Sequence, residues 1–194
     1  RLWPKNVAPN ARAWVVENIE DGGVNKMRLN TALSAREDAA GNITDVALDK
    51  LEGGFDFAGL SIHYLKPLSP VTNVTGRAVI SPSAIDFEVS SGRLGSLQVS
   101  DAMFRTFDLD TGIELLDLEL VATGPVAEVV GLLDHPRLDL IKGLGIKPKD
   151  IKGNAATRLV IKFPLRKDLK FDHVDIAAAS SLRSVALPGV ALGN

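Results

Sequence analysis

Apolar and polar residues trade places at a period of two through most of this chain, and that constrains its fold more than any other feature. Met27, Leu29, Leu33 and Ala35 interleave with Lys26, Arg28, Asn30, Ser34 and Arg36, while Leu116, Leu118 and Leu120 interleave with Asp117 and Glu119. Successive side chains of a strand point to opposite faces, so each such run is a ribbon with one apolar side and one wet side. Several of these ribbons make a sheet whose apolar face needs a cover, either from the protein itself or from a bound hydrocarbon.

The chain has 194 residues, 45% hydrophobic and 24% charged, the balance of a folded globular protein and not of a disordered one. It is long enough to bury a real core. With 22 Lys plus Arg against 24 Asp plus Glu the formal net charge is −2, and no basic block offers a groove for nucleic acid. The absence of cysteine rules out thiolate catalysis, disulfides and cysteine-ligated metals. The most apolar stretches, such as Val126 to Leu133, are far shorter than the roughly 20 residues of a membrane span and contain Glu128. The sequence starts at Arg1 and stops in Ala191-Leu192-Gly193-Asn194, and we read residues 1–194 as a single-domain fragment of a larger protein.

The pattern predicts a short helix over Ala11 to Ile19, ended by Asp21-Gly22-Gly23, then a strand from Met27 to about Arg36 and a turn over Glu37 to Asn42. Ile43 to Leu51 fits a strand or a connecting loop. Phe55 and Phe57 share one parity and Leu60, Ile62 and Tyr64 the other, which places a bulge at Gly59. Lys66-Pro67-Leu68-Ser69-Pro70 makes a rigid link. Val74 to Ile80 and Ile85, Phe87 and Val89 form a hairpin about Ser81-Pro82-Ser83. Ser91-Gly92 reads as a break, and Leu94 to Phe107 as two strands joined near Asp101. A turn over Asp108 to Gly112 leads into a strand from Ile113 to Ala122 that Gly124-Pro125 stops. Val126, Val129, Val130 and Leu133 fall at helical spacing, Leu138 to Leu144 suggests a second short helix, and strands through Leu159, Ile161 and Phe163 and through Val174 to Leu182 close the chain.

Reactive chemistry is not visible. His63, His135 and His173 lie far apart without ligand spacing, so no zinc site is expected. Asp108, Asp110 and Gly112 resemble the front of a calcium loop, and Glu119 stands at its twelfth place. Gly112 is one place early, however, and Ile113, Leu115 and Leu116 replace the ligand loop, so a plain hairpin turn is the better reading. Gly143-Leu144-Gly145 lacks the third glycine of a dinucleotide loop, and neither a phosphate-binding GxxxxGK[ST] nor a GxSxG nucleophile turn occurs. Asn42-Ile43-Thr44 and Asn73-Val74-Thr75 match the glycosylation sequon by chance. No enzyme, no cofactor and no metal are expected.

The order and spacing of several stretches carry a likeness. They are Trp3-Pro4 with Ala11-Arg12-Ala13-Trp14-Val15, the run YLKPLSPVTNVTG from Tyr64 to Gly76, and Ser91-Gly92-Arg93-Leu94-Gly95. They continue with Ala122-Thr123-Gly124-Pro125 leading to Leu132-Leu133-Asp134, GNAATRLVIKFPL from Gly153 to Leu165, and Val185-Ala186-Leu187-Pro188-Gly189-Val190. Together they resemble the uncharacterised domain of YhdP-type members of the AsmA-like superfamily of bacterial envelope proteins. The resemblance implies a long periplasmic protein tethered to the inner membrane, with strands curled into a taco-like groove along which phospholipid acyl chains pass between the inner and outer membranes. It brings no catalytic residues with it.

The expected fold is therefore α+β: a curved, mostly antiparallel sheet, an open groove or partial barrel, with a short N-terminal helix and a helical insertion near 125–145. The candidate groove residues are Met27, Leu29, Leu33, Ile85, Phe87, Val89, Leu116, Leu118, Leu120, Leu159, Ile161 and Phe163. For Phe87, Leu118, Ile161 and Phe163, ordinary core beneath the helices is the plainer alternative. Expected partners are phospholipid or fatty acyl chains, the membrane through parts of the protein outside this fragment, and other envelope proteins; nucleic acid is not among them. The alternative function is a structural or protein-interaction module that binds no lipid.

Overall fold

The computed structural model describes residues 9–109, 114–136, 148–165 and 173–186. A helix, α1 (Pro9–Asn18), leads into β1 (Ile19–Glu20), β2 (Gly23–Glu37), β3 (Ile43–Ile62), β4 (Val71–Ile80), β5 (Ala84–Leu94), β6 (Leu97–Phe107) and β7 (Leu115–Pro125). Then come α2 (Val126–Leu133), a 3-10 turn (Pro148–Asp150), β8 (Lys152–Pro164) and β9 (Asp175–Ala186).

All the strands belong to one antiparallel sheet, paired in chain order from β3 to β9, with β1 and β2 lying end to end along β3. Asp21 and Gly22, both at φ 60°, make the step between β1 and β2. Short turns join β2 to β3, β4 to β5 and β5 to β6, whereas α2 and the 3-10 turn lie between β7 and β8. The sheet is curved and open, and two short helices add little to it, so the helical half of an α+β description fits only loosely.

The N-terminal helix, the turn after Glu37, the bulge at Gly59 (φ 72°), the β4–β5 hairpin and α2 lie where the pattern predicts them. Ile43 to Leu51 is strand. The structure corrects two expectations. Strand β5 runs through Ser91-Gly92 without a break, its pairing with β6 continuing to Leu94, and Gly92 is buried where a side chain would press on Val71. Leu97–Phe107 is one strand whose parity flips at a bulge, with Asp101 at φ 47° and the register to β7 shifting between Ser100 and Met103. The suggested helix over Leu138 to Leu144 falls outside the described residues.

Phe57, Val74, Ala78, Ile85, Val89, Val99 and Ala102 form the main core, with Phe55, Leu60, Ile80, Phe87 and Leu120 packed against it. Burying each Val, Ile or Phe stabilises the fold by about 1.5–3 kcal/mol relative to leaving it in water. A second cluster gathers Trp14 of α1 with Phe104, Leu109, Leu118 and Phe163 around Leu116 and Leu165. A third pins α2 to the sheet through Val126, Ile151 and Ala155.

Candidate functional site

Register places the apolar side chains in rows that cross the whole sheet. Phe55, Ala78, Phe87, Phe104, Leu118, Ile161 and Ile176 stand side by side on β3 to β9. A second row runs Leu29, Gly53, Ile80, Ile85, Thr106, Leu116 and Phe163. Val89 pairs with Ala102, and Leu120 with Leu159. Because side chains alternate strictly in a strand, these rows share one face.

The candidate residues on β5, β7 and β8 are thus brought together: Ile85, Val89 and Leu116 are buried, while Phe87, Leu118, Leu120, Leu159, Ile161 and Phe163 are half-buried. Met27, Leu29 and Leu33 stand apart and exposed. Leu33 belongs to a hairpin arm, because β4 pairs with β3 only from Gly53 onward, leaving residues 43–52 of β3 joined to β2 alone, while Met27 and Leu29 stand beside Phe55 and Gly53 at its root. Every residue from Asp21 to Lys50 is exposed, and at about 3.3 Å per residue the arm extends roughly 30 Å past the turn between β4 and β5.

The middle of the apolar face is filled by the chain's own side chains. Phe57, Val74, Ala78, Val99 and Ala102 are 2–6% exposed, and the rings of Phe55, Phe57 and Phe87 meet with centroids 6.2–6.3 Å apart. Exposure rises toward both flanks, to 65% at Leu33 on the arm and to 43% and 58% at Ile176 and Leu182 on β9. Phe55, Phe57, Phe104, Val46, Leu48 and Ile176 complete this face and are absent from the sequence candidates. Parity within each strand would have found them once the pairing was known.

The opposite face carries charge in the same register. Asp86, Arg105, Asp117, Lys162 and Asp175 alternate in sign across β5 to β9, and Asp56, Arg77 and Glu88 do so across β3 to β5. Contacts along these rows include Arg77 Nε to Glu88 Oε2 at 2.7 Å, Arg105 to Asp86 at 3.3 Å and Lys162 to Asp117 at 3.3 Å; Arg158 reaches Glu119 diagonally at 2.5 Å. Exposed pairs of this kind add little stability each, but a one-residue slip would set every charge against the wrong neighbour. The hydrogen bond from Arg77 holds the Glu88 carboxyl below the usual glutamate range. Open depressions of about 880 and 360 Å³ lie on this charged side, the larger among Lys26, Asp56, Arg77, Glu88, Asp101 and Met103.

Among the described residues no group of His, Asp and Glu is placed to hold a metal ion, and no helix is long and apolar enough to cross a membrane. Burial pushes the Tyr64 hydroxyl up to about 12, so it stays protonated near neutral pH. No family model, no curated protein and no solved structure matches this chain.

Proposed function

We propose that this chain is a non-catalytic segment of a periplasmic, bridge-like envelope protein, tethered to the inner membrane by parts outside the fragment. Its apolar sheet face binds phospholipid acyl chains on their way between the inner and outer membranes. One observation carries this reading: a registered apolar face crosses the sheet and stays half-open along Phe87, Leu118, Leu159, Ile161 and Phe163 and open at Ile176. Each acyl methylene covered there stabilises a bound lipid by about 0.8 kcal/mol, so a fatty chain is held without any specific polar contact. The likeness to AsmA-like proteins supports the envelope setting.

The test is mass spectrometry of organic extracts of the purified chain, with uptake of a fluorescent fatty acid as a second readout. Co-purified phospholipid, together with probe uptake that falls at least tenfold in the Leu118→Asp/Ile161→Asp variant, is the expected result, since a charge at a desolvated contact costs more than the 1.4 kcal/mol of a tenfold change. A clean extract and no uptake would reject it.

A second reading, a structural or protein-interaction module without lipid, draws on the filled middle of the face and on the unpaired outer edges of β2 and β9. A clean extract favours this module.

A further inference from the structure

We infer that the β2/β3 arm is a self-association element, and that its apolar face is covered by the same face of a second copy of this chain. A two-stranded ribbon is marginal in water unless its apolar side is covered, and this one presents Leu29, Leu33, Val46 and Leu48 at 43–65% exposure. Met27, in the bulge opposite Phe55, extends the strip toward the body.

The arm's chemistry selects the occupant. Its charges, Lys26, Arg28, Arg36 and Lys50 against Glu37, Asp38, Asp45, Asp49 and Glu52, nearly cancel, which gives no pull toward anionic headgroups. The tip is acidic and ordered: the Asp38 carboxylate accepts hydrogen bonds from the backbone N–H groups of Ala40 and Asn42, both at 2.9 Å. Those bonds hold its pKa below the usual aspartate range, so the tip enters a bilayer only at the cost of burying a charge. Of the three register shifts along the arm, one puts an extra residue in β2, at Lys26-Met27, and two put it in β3, at Asp49 and Thr44. The exposed apolar residues Leu29, Leu33, Val46 and Leu48 lie on one face, and that face is the one in need of a cover.

That face fits itself. Along β2 the apolar side reads Leu29, Thr31, Leu33, Ala35, large and small in turn. A two-fold axis at the level of Ala32, lying between the faces and across the strands, sets Leu29 against Ala35 of the other copy and Leu33 against its Thr31, large against small along β2, and brings Leu48 of β3 to the level of Leu51. Stacked sheets pack in this interdigitated way about 10 Å apart. Five or six side chains exposing on the order of 100 Å² each come to roughly 500–600 Å² per copy, enough for a dimer above the size of chance contacts. This arrangement is independent of the lipid reading and leaves the hydrocarbon surface to the body of the sheet.

The experiment is sedimentation of the chain over a dilution series, with the Leu33→Asp and Thr31→Lys variants alone and mixed. The expected result is a wild-type dimer with a dissociation constant in the micromolar range, weakened at least about 100-fold by Leu33→Asp. Asn30→Lys, on the polar face and opposite Glu52, leaves it intact. Mixing Leu33→Asp with Thr31→Lys copies restores a mixed dimer, because the axis brings those positions together. Circular dichroism of the variants retains the signal of the sheet's body, and any loss in Leu33→Asp is confined to the arm that has lost its cover. A monomeric wild type at about 100 μM, some 100 times a micromolar dissociation constant, overturns the inference. So does a Leu33→Asp variant that still dimerises, or phosphatidylcholine vesicles that bind the wild type and not Leu33→Asp. Failure of the lipid reading shows instead as an empty extract from a protein that still dimerises.

Discussion

Phe87 and Phe104 stack across β5 and β6 with ring centroids 3.9 Å apart and planes within 9° of parallel. Phe87 also meets Phe55 edge-on and Phe57 at a tilt, so one ring links the closed middle of the apolar face to its half-open side. Phe87→Ala therefore removes more ring–ring contacts than Phe104→Ala. Since both rings are half-buried, the expected losses lie at or below the 3–5 kcal/mol of a buried Phe→Ala change, about 3 for Phe87 and about 2 for Phe104. The double variant is expected to cost less than their sum by about 0.5–1.5 kcal/mol, the coupling of a stacked pair. Urea unfolding with an unchanged m-value measures all three.

Arg77 and Glu88 pair on the charged face, and the sign of their pH dependence follows from the lowered Glu88 pKa. A carboxyl whose pKa is depressed on folding contributes stability that is present above its unfolded pKa and lost as pH falls through the folded one. The Arg77→Met variant is therefore expected to move the Glu88 titration midpoint up into the ordinary glutamate range. The acid side of the stability profile should change while stability at pH 7 shifts little, because both groups are solvent-exposed. Carbon-detected NMR titration of the Glu88 carboxyl reads the midpoint directly. An unmoved midpoint counts against the pair.

Much of this fold is legible in the sequence because alternation is a local property. Leu116, Leu118 and Leu120 announce the apolar face of β7 by themselves, and the parity slip around Gly59 announces its bulge. Gly92 and Asp101 mislead for a physical reason: a glycine inside a strand and a non-glycine residue at positive φ both look like breaks, yet one gives way to Val71 and the other is a bulge. The arm is hidden for another reason. Leu29 and Leu33 carry the same pattern as the core strands, and their exposure is decided by where β4 ends, a partner length that no window around Leu33 contains. Trp14 is similar: helical spacing places it on one side of α1, but its packing beside Leu116 and Leu165 is a long-range contact.

Gly76 tests how tightly β3, β4 and β5 approach one another. It lies opposite Phe57 and Val89, and a methyl group added there would press on the carbonyl oxygen of Glu88 and come within 2.8 Å of the Phe57 ring. The first neighbour is backbone and the second belongs to the buried core, so neither yields without moving a strand. Overpacking of this kind costs about 1–3 kcal/mol, and a small gain in strand propensity from alanine offsets only a fraction of it. Gly23 provides the contrast, since nothing lies within 4 Å of its added methyl. Gly76→Ala is expected to lower the denaturation midpoint by the equivalent of about 2 kcal/mol, whereas Gly23→Ala stays within about 0.5 kcal/mol of wild type. If both variants proved neutral, the close approach of Phe57 and the β5 backbone to Gly76 would be wrong, and with it the packing that closes the middle of the apolar face.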